Sequence, residues 1–389
     1  MPRIAAWSWC SWESDIAQSS RFGLGLSEEN PLASAGSPFI DSKKSVTHRL
    51  LVWVFVIPAV LTAQVSLAAE RRGYVRVVGS SSIRPFADAV ADRVAKNGKL
   101  KRPLVESTGT AGGIKLFCEG VGADHPDIVN ASRRIKKTEY AFCESRGVTH
   151  IIEVKIGYGG VVLAHSKQPN PLSLTRRELF LALAKKVPDP PCPSCEQIVP
   201  NPFKRWIDLK PKLPDLRIQV FGPPISSGTR EVFAEAVMQV GCEDFPLIAA
   251  RKERRDLCQT LRDDGAYTEG SGDTIMKRVL ANPGALGIVA YNLFHKHARE
   301  LDAARIEGFA PDRQSIGSHK YPLSRPLFFY LKEQHIGKVS GLTQYIAEFT
   351  SEKAWGDRGY LTAIGLISMP PSERKTYAHD ATALKRLSL

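Results

Sequence analysis

The stretch Val75-Arg76-Val77-Val78-Gly79-Ser80-Ser81-Ser82-Ile83-Arg84-Pro85-Phe86 decides the reading of the chain. Its first four residues are β-branched or long side chains that suit a strand over 75–78. Proline is tolerated in a first helical turn, and Phe86, Val90 and Val94 recur on one side, so a helix runs over 85–95. The hydroxyl triplet therefore sits where a strand hands over to a helix. Free backbone N–H groups and the positive end of the dipole face outward there, and such a start receives an anion without any formal charge.

The same design recurs twice. Ser107-Thr108-Gly109-Thr110-Ala111-Gly112-Gly113-Ile114 follows a strand over 104–107 and opens a helix over 114–119, its glycines allowing close approach to backbone. Ser226-Ser227-Gly228-Thr229-Arg230 follows a strand over 218–221 and opens a helix over 229–239 with Val232, Phe233, Ala236, Val237 and Val240 on one side. A single Ser/Thr helix start is ordinary capping. Three strand-to-helix turns of one chemistry point to a shared ligand. A fourth element, Asn130-Ala131-Ser132-Arg133-Arg134, follows a short strand over 127–130, so one planar guanidinium can meet a tetrahedral oxyanion while the other stays in water.

Outward from these turns, apolar runs alternate with helical patterns, which predicts an α/β protein. A short helix covers 138–143. Two long apolar strands, over 156–164 and 286–291, flank a segment with its own elements: helices over 175–184 and 271–280, and a proline-rich loop over 188–202. A strand over 306–309, another over 327–331 and a helix over 340–350 follow. This order predicts two α/β lobes joined by two hinge crossings, with a cleft between them. The lobes are expected at 70–163, 164–286 and, returning to the first lobe with a C-terminal tail, 287–389.

Of the 389 residues, 43% are hydrophobic and 24% charged, enough for a full core in two lobes. The net charge is +13, and residues 1–69 carry five basic and five acidic side chains, so the surplus falls entirely on the folded part. No dense Lys/Arg block with interleaved aromatics speaks for nucleic acid, which leaves an acidic membrane surface, attraction of a small anion to a cleft, or simply a dispersed solvated surface. The apolar run 50–67 follows Lys43, Lys44, His48 and Arg49 and ends in the small residues Ser66, Ala68 and Ala69, the order of a secretory signal peptide. Residues 1–69 thus read as a leader, with the mature chain starting near Ala69 or Glu70 in the periplasm; an uncleaved anchor is the alternative. A start at Val46 would give a normal short n-region.

Of seven cysteines, Cys10 lies in the leader, and six remain: Cys118, Cys143, Cys192, Cys195, Cys242 and Cys258. An even number in an oxidising compartment predicts disulfides, and neighbour pairing (118 with 143, 192 with 195, 242 with 258) is the simplest of about fifteen connectivities. A zinc site at Cys192-Pro-Ser-Cys195 lacks a second close pair of ligands.

The series Gly79-Ser80-Ser81-Ser82 with Pro85-Phe86, Gly109-Thr110-Ala111-Gly112-Gly113, Ile128-Val129-Asn130-Ala131-Ser132-Arg133 and Ser227-Gly228-Thr229 resembles the phosphate-binding proteins of the phosphate ABC importer. The likeness runs from about Tyr74 to Trp355 and includes Gly159-Gly160-Val161-Val162 and Asn282-Pro283-Gly284-Ala285-Leu286-Gly287. It implies a type II periplasmic-binding fold, inorganic phosphate as ligand, membrane permease subunits as partners, a monomer, and neither cofactor nor metal. Carried over by position, the ligand shell is Ser81, Ser82, Ile83 through its N–H, Thr110, Arg133, Ser227, Gly228 and Thr229. Many members place Asp where Arg133 stands, and an Arg just before the Ser-Gly-Thr turn, where this chain has Pro223 and Pro224. The lost carboxylate would have accepted the ligand's proton and so rejected sulfate, unless Glu269 or Asp273 replaces it.

Two other function classes compete. A binding protein for sulfate or molybdate keeps the fold. A phosphate-ester hydrolase needs a nucleophile with a positioned base, for which Ser227 with His165 or His125 is the candidate, though none belongs to a local motif.

Overall fold

The computed structural model describes residues 72–96, 99–167, 172–189 and 197–389. The expected leader, its signal peptide and the pair Cys192 and Cys195 lie outside the described residues.

The hydrophobic strands assemble into one nine-stranded sheet. Strands β1 (Arg76–Gly79), β2 (Leu104–Val105) and β3 (Ile128–Ala131) pair in parallel, with β1 in the middle. Strand β4 (Ile151–Ser166) is the spine. Strand β5 (Ser173–Leu174) and the antiparallel pair β6 (Lys186–Pro188) and β7 (Ile198–Pro200) lie off the sheet. The latter pair forms the base of the proline-rich loop. Strands β8 (Val220–Gly222), β9 (Tyr267–Glu269) and β10 (Leu286–Ala290) run parallel in the order β10-β8-β9. The chain returns through β11 (Leu301–Ala303), β12 (Arg305–Ile306) and the long β13 (Ser324–Lys332).

Register along β4 explains how one strand serves two half-sheets. Residues 151–160 pair antiparallel with β13, from Ile151 opposite Lys332 to Gly160 opposite Ser324. From Val161 to Ala164 the partner is β10, and from Ala164 to Ser166 it is also β11. The half-sheet of β1, β2, β3 and β13 thus meets that of β8, β9 and β10 along a single continuous strand. The crossing expected over 156–164 is the middle of β4. The segment after β10 stays on the second half through β11, and the chain regains the first half only at β13.

Helices cover these half-sheets: α1 (Arg84–Ala95), α2 (Thr110–Cys118), α3 (Lys137–Ser145), α4 (Arg176–Leu183) and α5 (Gly228–Phe233), among others. The α1 stripe is as the spacing predicts, with Phe86, Val90 and Val94 buried. One large core runs from Val77 on β1 through Val162 on β4 to Val220 on β8, and a smaller one, with Val129, Ile114, Phe117 and Tyr330, lies under α2 and α3. Two of the predicted disulfides are formed. Cys118–Cys143 ties α2 to α3, and Cys242–Cys258 ties the end of the helical run that continues α5 to the helix Arg254–Gln259. Among the described residues no helix is long and apolar enough to cross a membrane.

Candidate functional site

The three strand-to-helix turns converge at the junction of the half-sheets. After β1, Ser80 donates its N–H to Asn130 O at 2.9 Å, which fixes the turn against the end of β3. Ser80 and Ser82 point inward and are buried, while Ser81 is exposed. The N–H of Ile83 is spent inside this turn, on Ser80 O at 3.1 Å, because the chain is already coiling there. The N–H expected to serve a ligand is therefore already hydrogen-bonded within its own turn.

The second turn positions Thr110. Gly109 precedes it with φ +73°, a conformation that favours glycine, and a Cβ there would stand 2.2 Å from Ser226 O in the third turn. Thr110 Oγ1 accepts the Ser132 N–H at 3.2 Å and lies 3.0 Å from Ser132 Oγ. In the third turn Ser227 caps α5, its Oγ accepting the Thr229 N–H at 3.2 Å. Gly228 is pressed into the gathering: a Cβ on it would meet Ser132 Oγ at 2.7 Å, Thr110 Oγ1 at 3.0 Å and Ser80 Oγ at 3.8 Å. Thr229 Oγ1 lies 3.1 Å from Ser82 Oγ, a contact between residues 147 apart in sequence.

The cation in this cluster is Arg325, near the start of β13. It is 4% exposed, and it donates through Nη1 to Gly228 O at 3.1 Å and through Nη2 to Ser82 Oγ at 2.9 Å. Burial lowers its pKa to about 10, opposed by the negative charge of Glu231, so it remains a cation at neutral pH. Its Nε has no partner, and neither do the buried Ser80 Oγ and Asn130 Oδ1. Buried polar atoms ordinarily find partners, so three orphans around one point mark a place built for a polar guest.

Arg133 stands differently from its expected free fork. Nε donates to Glu231 at 2.9 Å, and Nη1 and Nη2 grip the two oxygens of Glu139 at 2.8 and 2.7 Å. Burial pulls its pKa down, but the hydrogen bonds and charges of the two glutamates outweigh that and raise it.

Sequence reading thus picked out Ser82, Thr110, Gly228 and Thr229, which meet, and Ser81 and Ser227, which line the adjoining cleft of about 280 Å³ with Pro85, Pro223, Asp273 and Lys296. It missed Arg325, Ser132 and Ser80. No local signal marked Arg325, which lies outside the strand expected over 327–331 and is costly to bury only once β13 is packed beside β4. Glu269 lies at the exposed end of β9. His165 sits on β4 with Nδ1 on Ser166 O, and His125 packs beside Gly120, so neither imidazole is hydrogen-bonded to Ser227. Among the described residues no carboxylate is hydrogen-bonded to Ser80, Ser82, Thr110, Ser132, Thr229 or Arg325, and no cluster suits a metal.

The family model of the PBP superfamily domain matches residues 65–353. The chain belongs to this superfamily. Protein SphX of Synechococcus elongatus is 27% identical to it over 70% of this chain and 72% of its own length. The phosphate-binding protein PstS of Staphylococcus saprophyticus is 25% identical over 82% of this chain and 86% of its own. A solved structure described as a possible phosphate binding protein from Planctomyces limnophilus superposes with a TM-score of 0.55 at 26% identity, covering 81% of this chain and 99% of that one. The fold is therefore the two-lobed α/β architecture predicted from the alternation of elements.

Proposed function

We propose that this protein is an extracytoplasmic solute-binding protein that takes inorganic phosphate into the cleft between its half-sheets and hands it to the permease of an ABC importer. The observation that carries the reading is the gathering of buried hydroxyls from three separate turns around one permanently charged fork, Arg325. Hydroxyls and guanidinium are donors matched to the oxygens of a small tetrahedral anion; the orphaned Ser80 Oγ and Arg325 Nε are donors that such an anion would satisfy, while the orphaned Asn130 Oδ1 would accept a proton carried by the ligand. We assign contact with the ligand to Ser82, Thr110, Gly228 and Thr229, joined by Ser132 and Arg325, with Ser81 and Ser227 at the mouth. The donor set of hydroxyls and a guanidinium supports binding, and turnover of a chromogenic phosphate ester by the purified protein would argue for catalysis instead. The leader of residues 1–69 fits export, and the two lobes, meeting along β4, are the parts that would close on the ligand.

A second reading rests on one observation. Among the described residues no carboxylate is hydrogen-bonded to these donors; Asn130 Oδ1 and the hydroxyls lie among them, and Asp273 stands on the wall of the adjoining cleft, so rejection of sulfate lacks a carboxylate fixed in the donor cluster itself. Native mass spectrometry for a co-purified anion, followed by calorimetric titration with phosphate, arsenate and sulfate, decides between them. Phosphate and arsenate isotherms that are unshifted by millimolar sulfate support the first reading. Competition by sulfate at equal concentration transfers the protein to the sulfate binders, and silence with all three anions removes both.

A further inference from the structure

Beyond the donor cluster lies a set of charges that belongs to both half-sheets. Arg133 and Lys136 follow β3, and Glu139 is on α3; Glu231 and Glu235 lie on α5 and its continuation, which follow β8. Resting on the reading that the cleft binds an anion, we infer that Arg133 and Lys136, facing Glu231 and Glu235, form a clasp that holds the lobes together over the ligand and sets how fast it leaves. Arg133 is then a positioning residue and touches no ligand.

The geometry is that of a prepared contact. Glu139 grips both terminal nitrogens of Arg133 and also accepts the Lys136 N–H at 2.9 Å, capping α3. The guanidinium is therefore fixed from its own side, and its remaining edge, Nε, is presented to Glu231 at 2.9 Å. A fork immobilised in advance loses little rotamer freedom when the partner arrives. Lys136 Nζ stands 3.2 Å from Glu235 and 3.7 Å from Glu231, one helical turn apart. The inner pair carries the effect, because the side chains of Arg133 and Glu231 are only 13% and 22% exposed, against 44% and 41% for Lys136 and Glu235.

Position ties the clasp to the anion site. Arg133 follows Ser132, whose hydroxyl meets Thr110, and Glu231 comes two residues after Thr229, whose hydroxyl meets Ser82. Moving the two sides of the cleft apart must break the ion pairs together with the Ser82–Thr229 contact and the Arg325–Gly228 hydrogen bond. The clasp also answers a charge problem: Glu231 is close enough to act on Arg325, and an unbalanced carboxylate there would repel the anion that Arg325 attracts. Arg133 balances it.

Removing Glu231 distinguishes a clasp from a ligand group held in check. If Arg133 were a ligand residue restrained by Glu231, Glu231→Gln would free it, and phosphate would leave more slowly. The clasp predicts the opposite: in stopped-flow measurements on the mature chain, phosphate leaves E231Q about tenfold faster, with association changed little, as expected for a buried charge pair. The wild-type off-rate should rise between about 20 mM and about 500 mM salt, and that rise should flatten in E231Q. The exposed pair supplies a variant whose folding is safe: Lys136→Glu should speed release, and adding Glu235→Lys should restore it. Slower or unchanged release from E231Q overturns the clasp. A wild-type chain that takes no phosphate overturns the anion reading instead, and small-angle scattering then judges the clasp. E231Q must be more expanded than wild type at low salt and equal to it at high salt, and identical curves sink it.

Discussion

At the scale of single residues, the site depends on Arg325 and on the missing side chain of Gly228. Arg325 is buried with two hydrogen bonds and one unsatisfied nitrogen, so it is retained at a cost to stability that a bound anion would offset. Arg325→Gln should lower phosphate affinity by about a hundredfold or more in calorimetry, the range for losing a desolvated charged partner, while the melting temperature of the free protein stays level or rises. Gly228→Ala works by volume alone. Its methyl would stand 2.7 Å from Ser132 Oγ and 3.0 Å from Thr110 Oγ1, so the hydroxyls must separate, and affinity should fall about tenfold while the circular dichroism spectrum is unchanged. Both effects on one calorimetric axis, without loss of fold, mark the cluster as the binding site. The glycine was legible in the sequence because its turn chemistry is local. Arg325 was not, because its role depends on β13 lying beside β4, a pairing between residues more than 160 apart in the chain.

Elements were legible wherever a hydrophobic period ran unbroken. The stripe of α1 appears where spacing places it, since burial of one face fixes it locally, and the apolar runs of Leu286–Ala290 and of β4, buried on both faces, also form strands, although β4 starts at Ile151 rather than Ile156. The third turn's helix was expected over 229–239, yet α5 ends at Phe233 and passes into a π-helical run, Ala234–Gln239, which local periodicity does not encode. β9 went unread because three residues are too few to show a period, and it owes its place to pairing with β8. The disulfide Cys242–Cys258 closes this same region, joining residues 16 apart in sequence. A loop of that size constrains the unfolded chain by about 3 kcal/mol in the entropic account. The double variant Cys242→Ala, Cys258→Ala should therefore unfold at lower urea concentration, by about 2–3 kcal/mol, with a reductant shifting the parent chain at least as far, because it also opens Cys118–Cys143. A parent chain indifferent to reductant would show that helix packing alone holds this end of the lobe.

For the whole molecule, pH should act through a buried network far from the cleft. Lys332, at the end of β13, has no exposed surface and donates to Gly120 O at 2.6 Å and Pro126 O at 2.8 Å. Beside it Asp127 is held by Arg72, by the Arg76 N–H at 2.7 Å and by His335 Nδ1 at 2.6 Å, while His335 Nε2 accepts the Gly122 N–H. Burial lowers the Lys332 pKa to about 7, opposed by Asp127 and assisted by Arg72. A neutral amine still has two N–H groups for its two carbonyls, so deprotonation costs no hydrogen bond. The sign follows from proton counts. Between pH 7 and the ordinary lysine range the unfolded chain binds a proton that the native chain has released, so unfolding free energy rises with pH. The stabilisation is complete above the unfolded pKa and is lost as pH falls through about 7. The gain ends near pH 10, where the phenols of Tyr321, Tyr330 and Tyr345, held protonated by burial, begin to favour the unfolded chain. Urea titrations should therefore show stability climbing from pH 7 to a maximum between about 9 and 10, by an amount on the order of a few kcal/mol, and Lys332→Met should flatten that climb. A wild-type profile as flat as the variant's would mean that Lys332 keeps its proton in the native state, with Asp127 as its counter-ion.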